Sequence, residues 1–163
     1  MRRAVVLALL LGAGCGGGEA IEPPGGKPSG AWVGLAAALA APTAVDAWTI
    51  SGEPRGGSYF AYPESSRRTP VDSANIRALT SILSDPKSFS KDYAPCSPRP
   101  GVKVCYARKG AEPIWVFFCF ECGELFVYEG SMSREHLPFY PSVVLNGIMK
   151  KIFPRDTEIQ NLK

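Results

Sequence analysis

The sequence predicts an α+β domain: an antiparallel β-meander with two helices packed on it. Three observations carry that expectation. Short runs rich in β-branched and aromatic residues cluster between Val102 and Glu129. Two segments, 76–83 and 145–152, repeat apolar residues at helical spacing. The resulting order, β-β-α-β-β-β-α, places three consecutive strands at the centre of the domain.

Each element has a local reason. Ala47–Ile50 and Ser58–Tyr62 read as short strands, separated by a Gly/Pro-rich turn composition. Asp72 or Ser73 can cap a helix carrying Ile76, Leu79, Ile82 and Leu83 on one side, and Pro86 stops it. Val102–Tyr106 alternates as a strand. Ile114–Phe120 is apolar on both parities, as expected of a strand covered on both faces. Gly123 marks a turn before a strand at Glu124–Glu129. Leu145, Ile148, Met149 and Ile152 form the second helical stripe. Lys150 and Lys151 suit its C-terminal dipole, and Pro154 ends it.

The N-terminus carries an address. Arg2 and Arg3 precede an apolar run, Ala4–Leu11, far shorter than the roughly 20 residues of a membrane-spanning helix. Small residues then lead to Cys15. This pattern resembles a bacterial lipoprotein signal, in which the cysteine is lipidated and becomes the new N-terminus. Gly12 stands where a leucine is usual. The resemblance implies a signal peptide at 1–14, lipidation at Cys15 and anchoring in the cell envelope by an N-terminal lipid. Gly16 rather than aspartate after the cysteine implies the outer membrane rather than the inner. Residues 15–30 read as a Gly/Pro-rich tether, 31–44 as an Ala-rich arm or docked helix, and 45–163 as a single α+β domain.

The full chain has 18 basic and 15 acidic residues, and loss of Arg2 and Arg3 lowers its net charge to about +1. That balance argues against a nucleic-acid partner. No phosphate-binding loop and no nucleophile elbow is present, and a single histidine must serve any Cys–His or Ser–His scheme. Nothing marks the chain as an enzyme or calls for a cofactor. Arg67–Arg68, Lys150–Lys151, Glu121 and Glu124 read as solvated surface. His136, beside Leu137-Pro138, reads as a surface loop.

Exported proteins meet an oxidising compartment, so the remaining cysteines are disulfide candidates. Pairing Val102–Ala107 with Pro113–Phe120 makes opposite residue numbers sum to about 220. Cys105 then faces Trp115, while Cys96 falls at the same sheet end as Cys119 and Cys122. Cys105 is the odd cysteine, about 13 Å from Cys119 along the strand. Three readings of the cluster stay open. Cys96 bonded to Cys119 or Cys122 would stabilise the domain by roughly 2–4 kcal/mol. A redox Cys119-Phe120-Glu121-Cys122 would lack the helix N-terminus that activates such motifs. A zinc site would need Cys96, Cys119, Cys122 and His136 as ligands.

The motifs Tyr62-Pro63, Cys96-Ser97-Pro98-Arg99-Pro100-Gly101-Val102, Phe118-Cys119-Phe120-Glu121-Cys122, Phe126-Val127-Tyr128 and Leu145-Asn146 resemble a recurring family of bacterial exported proteins. That family has a histidine where Pro100 stands and no cysteine at Cys105. The resemblance brings no activity, substrate or partner with it. The expected role is therefore a membrane-anchored, disulfide-stabilised structural or interaction module. Tyr59, Phe60, Tyr62, Phe139 and Tyr140 are its candidate contacts to an envelope protein partner. The alternative is a thiol-redox or zinc protein built on Cys119 and Cys122.

Overall fold

A computed structural model describes residues 36–52, 58–89, 99, 101–139 and 143–163. Six strands form one sheet: β1 Ala44–Thr49, β2 Thr69–Pro70, β3 Val102–Arg108, β4 Ala111–Cys119, β5 Glu124–Glu129 and β6 Met132–Pro138. Their spatial order is β2-β1-β3-β4-β5-β6, and every pairing is antiparallel. The helices are α1 Ser73–Ser84, α2 Val143–Ile152 and the short α3 Thr157–Gln160. This is the α+β architecture expected, with β3 to β6 as the meander.

The β3–β4 register matches the hairpin pairing expected, with opposite numbers summing to about 220: Val102 faces Phe118, Val104 faces Val116 and Cys105 faces Trp115. β4 is central, with Val116, Phe117, Phe118 and Cys119 all fully buried. One parity of the sheet, including Val104, Val116, Phe118 and Val127, packs under α1 and α2. Those helices contribute Leu79, Leu83, Leu145, Ile148 and Met149 to the same core. Leu39, at the end of a helical stretch at 36–39, is also fully buried there, so the end of the Ala-rich arm is part of the fold.

Caps explain where the helices begin. The Asp72 carboxylate accepts hydrogen bonds from the backbone N–H groups of Ala74 and Asn75, and Asp156 does the same for Glu158 and Ile159. Proline follows one residue beyond the Asp85 cap of α1, as the sequence requires.

Three expectations change. Residues 59–61 form a 3-10 turn rather than a strand, because Ser58 caps them and their rings fold onto the sheet. The second strand is instead the two-residue β2 at the sheet edge. His136 lies in strand β6, not in a loop. β6 is an edge strand with one extra residue, Arg134, between the partners of Val127 and Tyr128. That bulge, with Pro138 at the strand end, is a usual way of blunting an open edge.

The β4–β5 connection turns at Gly123, whose φ of 65° lies in the left-handed region. A Cβ there would also sit 3.2 Å from the Phe139 carbonyl oxygen. That segment cannot withdraw freely, since the Phe139 N–H donates to the Gly123 carbonyl. Gly123→Ala is therefore expected to destabilise the domain by about 1–2 kcal/mol or more, read as a lower urea midpoint at unchanged slope.

Candidate functional site

The face of the sheet away from the helices carries the chemistry. Strand register arranges it in rows. One row runs Trp48, Lys103, Phe117, Phe126, His136, and the next runs Asp46, Cys105, Trp115, Tyr128, Ser133. At the sheet end, Cys119 faces Glu124, which faces Pro138.

The 58–66 segment lies across these rows and is tied to β1 by backbone bonds, Ser51 N–H to Pro63 and Ser65 N–H to Thr49. Its rings do the packing. Tyr59 stacks on Phe126 at 4.4 Å between centroids. Phe60 stands edge-on to Phe117, Tyr128 and Trp115 at 5.3, 5.2 and 5.7 Å. Each such pair contributes about 0.5–1.5 kcal/mol beyond its buried area. Phe117 and Phe126 become the floor of a second, aromatic core, with Tyr62 buried beside them. Trp48, Phe60, Trp115 and Tyr128 remain half-buried.

Charges on this face are paired. The Lys103 ammonium, almost completely buried, contacts the Glu64 carboxylate at 2.5 Å and lies 5.1 and 5.7 Å from the Trp48 and Trp115 ring centroids. Those indole faces attract the cation and offset part of its desolvation. Arg68 pairs with the buried Asp46 at 2.7 Å. Glu124 is buried, and its carboxylate meets His136 Nε2 at 3.2 Å, while the imidazole stacks on Phe126 at 4.2 Å.

Burial also holds acidic protons on this face, those of Cys105 and Tyr59 most strongly. The Cys105 thiol is pushed up to about 11, first by desolvation and then by Asp46, against the opposing pull of Arg68 and Lys103. The Tyr59 hydroxyl is pushed up to about 12 by desolvation, then by Tyr128, Tyr62 and Glu124.

The cysteines separate. Cys119 is a free, fully buried thiol whose Sγ accepts the Arg99 backbone N–H at 3.2 Å. Cys105 is free and half-buried. Cys122 is disulfide-bonded. Cys15 and Cys96 lie outside the described residues, as does Tyr140. Cys119 thus leaves the set of disulfide candidates, and Cys122 in a disulfide is no thiolate ligand for zinc. His136 is held by Glu124 and is two strands from Cys119, about 10 Å at the usual strand spacing. Among the described residues no group of three His, Cys, Asp or Glu side chains is placed to hold a metal ion. Tyr62 and Phe139, expected as exposed contacts, are core residues at 7 and 5% exposure. Trp48, Trp115 and Lys103 escaped sequence reasoning. The register of 220 would have put Lys103 opposite Phe117, but nothing in the sequence places Trp48 next to both.

No protein-family model, no curated protein and no solved structure matches this chain. Among the described residues no helix is long and apolar enough to cross a membrane.

Two outcomes follow from this face. Folded Cys105 and Tyr59 hold their protons more tightly than in the unfolded chain, whose thiol and phenol titrate near about 8.5 and 10. Above those values the unfolded state binds fewer protons, so stability is lost as pH rises from about 9 through 11 to 12. Thermal melts across pH 8–11 should show that fall, and Tyr59→Phe with Cys105→Ala should flatten it. His136→Ala leaves the buried Glu124 carboxylate without this partner and should cost about 1–3 kcal/mol, measured by denaturant unfolding.

Proposed function

We propose that this chain is an exported, lipid-anchored module of the cell envelope, stabilised by a disulfide and presenting its aromatic face to a protein partner. The observation that carries the reading is the disulfide at Cys122, a bond that persists in oxidising compartments. The signal-like segment before Cys15 supports the same compartment. With Cys105 and Cys119 free, the remaining candidates for its partner are Cys15 and Cys96. Cys96 is the better choice. Arg99, three residues after it, touches Cys119, three residues before Cys122. Cys15 is the lipidation candidate.

The half-buried Trp48, Phe60, Trp115 and Tyr128 suit the role of partner contacts, because large rings with few rotatable bonds lose little entropy on docking. Pairing of Lys103 with Glu64 and of Asp46 with Arg68 leaves the face nearly neutral, which favours apolar contact over recognition of a charged polymer.

A second reading has one observation in its favour. A reduced Cys119 stands three residues from a disulfide-bonded Cys122, the arrangement that thiol–disulfide exchange needs. Against it, the motif joins two strands rather than opening a helix, the position where the dipole lowers a thiol pKa. Insulin reduction by the purified protein, lost in Cys119→Ser, would favour exchange over the structural reading.

Labelled fatty acid should enter the wild-type protein and not Cys15→Ser. Alkylation in denaturant without reductant should modify Cys105 and Cys119 but not Cys122, and non-reduced digests should yield a Cys96–Cys122 cross-linked peptide. Absence of lipid label from the wild type, or alkylation of Cys122 without reductant, would overturn the proposal.

A further inference from the structure

Among the described residues, the helix-bearing face of the sheet is not filled to its end. A cavity of about 290 Å³ lies between the last turn of α1, the 3-10 turn at Pro86–Ser88 and the first turn of α2. Phe118 and Leu125 of the central strands line it from the sheet, and Leu83, Phe89, Phe139 and Leu145 line it from the other elements. Among the described residues, only Lys87 and Ser88 bring polar side chains to it.

Three features bear on what such a space would hold. An apolar cavity of roughly 150 Å³ stays dry and takes a guest the size of benzene. By the same scale, a space near 290 Å³ takes about twice as many carbons, roughly a dozen. Second, Val144 on the cavity lip and its neighbour Val143 are 64 and 81% exposed, two of the three exposed large hydrophobic residues among those described. The apolar lining therefore continues to solvent at one end. Third, the one charged side chain in the described lining is a cation. Lys87 is exposed, and among the described residues its ammonium has no ion-pair partner. The nearby Asp85 carboxylate accepts the Lys87 backbone N–H. An apolar interior closed at the sheet, with a free cation at its mouth, fits a molecule that has one long apolar body and one anionic tip.

We propose that this cavity binds a free, linear monocarboxylate of about twelve carbons, the alkyl chain against Phe118 and Leu125 and the carboxylate at Lys87. The site uses the face opposite the aromatic rows and none of the cysteines, so it stands or falls independently of the module reading above.

Calorimetric titration of the purified full-length chain with a series of saturated fatty acids tests the proposal. Affinity should rise about fourfold per added methylene from eight to twelve carbons, the value expected for full burial of each group, and level off beyond twelve to fourteen. Lys87→Gln should weaken laurate roughly two- to fivefold, as an exposed ion pair allows, and leave dodecanol unchanged. Val144→Trp, or Ile82→Trp should the first fail to melt like the parent, should block both ligands at the lip. Affinity that keeps climbing past sixteen carbons, or that ignores both lip variants, would mean adsorption to the surface and would overturn the site. Equal loss of laurate and dodecanol in Lys87→Gln would overturn the carboxylate assignment. Flotation of the Cys15→Ser chain with phospholipid vesicles, lost in Val144→Trp, and no binding of free laurate would assign the cavity to a membrane lipid instead and reject the proposal as stated.

Discussion

Strand β4 has no solvent-facing side in its second half. Val116 and Phe118 are sealed by the helices and Phe117 by the rings of the opposite face, Cys119 meets the Arg99 backbone N–H, and all four are fully buried. A strand of this kind forces the chain to supply cover twice. One cover is the pair of amphipathic helices α1 and α2. The other is the 58–66 segment, which is too short and too aromatic to be a layer and serves instead as a strap of rings. Both chemical neighbourhoods discussed above exist because of that double demand. The aromatic face is a second core too shallow to bury its own tryptophans. The cavity is where, among the described residues, the helical cover stops short of the end of the sheet.

The paired charges follow from the same geometry. Register places Lys103 between Trp48 and Phe117, and Asp46 beside Cys105, in the interior of a face that is mostly rings. Charges in such positions are tolerated when partnered, and Glu64 and Arg68 come from the strap and its exit to do so. The strap is thus fixed by two kinds of contact at once, ring packing at Tyr59 and Phe60 and two ion pairs on its C-terminal side.

Much of the fold was legible in the sequence, and for definite reasons. Apolar residues on both parities of 114–120 identified the central strand, and pairing across the 108–112 loop gave a sum of about 220 that the pairs from Val102 to Tyr106 meet. Asp72, Pro86 and Pro154 bounded the helices because caps and prolines act locally. The misses are equally physical. The alternation of Ser58–Tyr62 mimics a strand, yet its rings all serve one face of a sheet that the segment does not join. β6, reading Met-Ser-Arg-Glu-His-Leu-Pro, carries the charges and bulge of an edge and so lacks a strand signature. With β6 unrecognised, the Glu124–His136 contact was invisible, as was the separation of His136 from the cysteines. The cluster argument brought Cys119 and Cys122 to the right end of the sheet but had no means to choose which was oxidised.

Two of the three indoles in the chain lie 5.8 Å apart with their planes inclined at 34°. They belong to β1 and β4, with β3 between them and the Lys103 ammonium within reach of both. Indoles this close couple their electronic transitions, and their fixed tilt makes the coupling chiral. The protein therefore carries a built-in optical reporter in its circular dichroism, without any label. Its signal tracks the alignment of three strands rather than overall helix content. Loosening of the sheet and melting of α1 and α2 would be separately visible in a single spectrum.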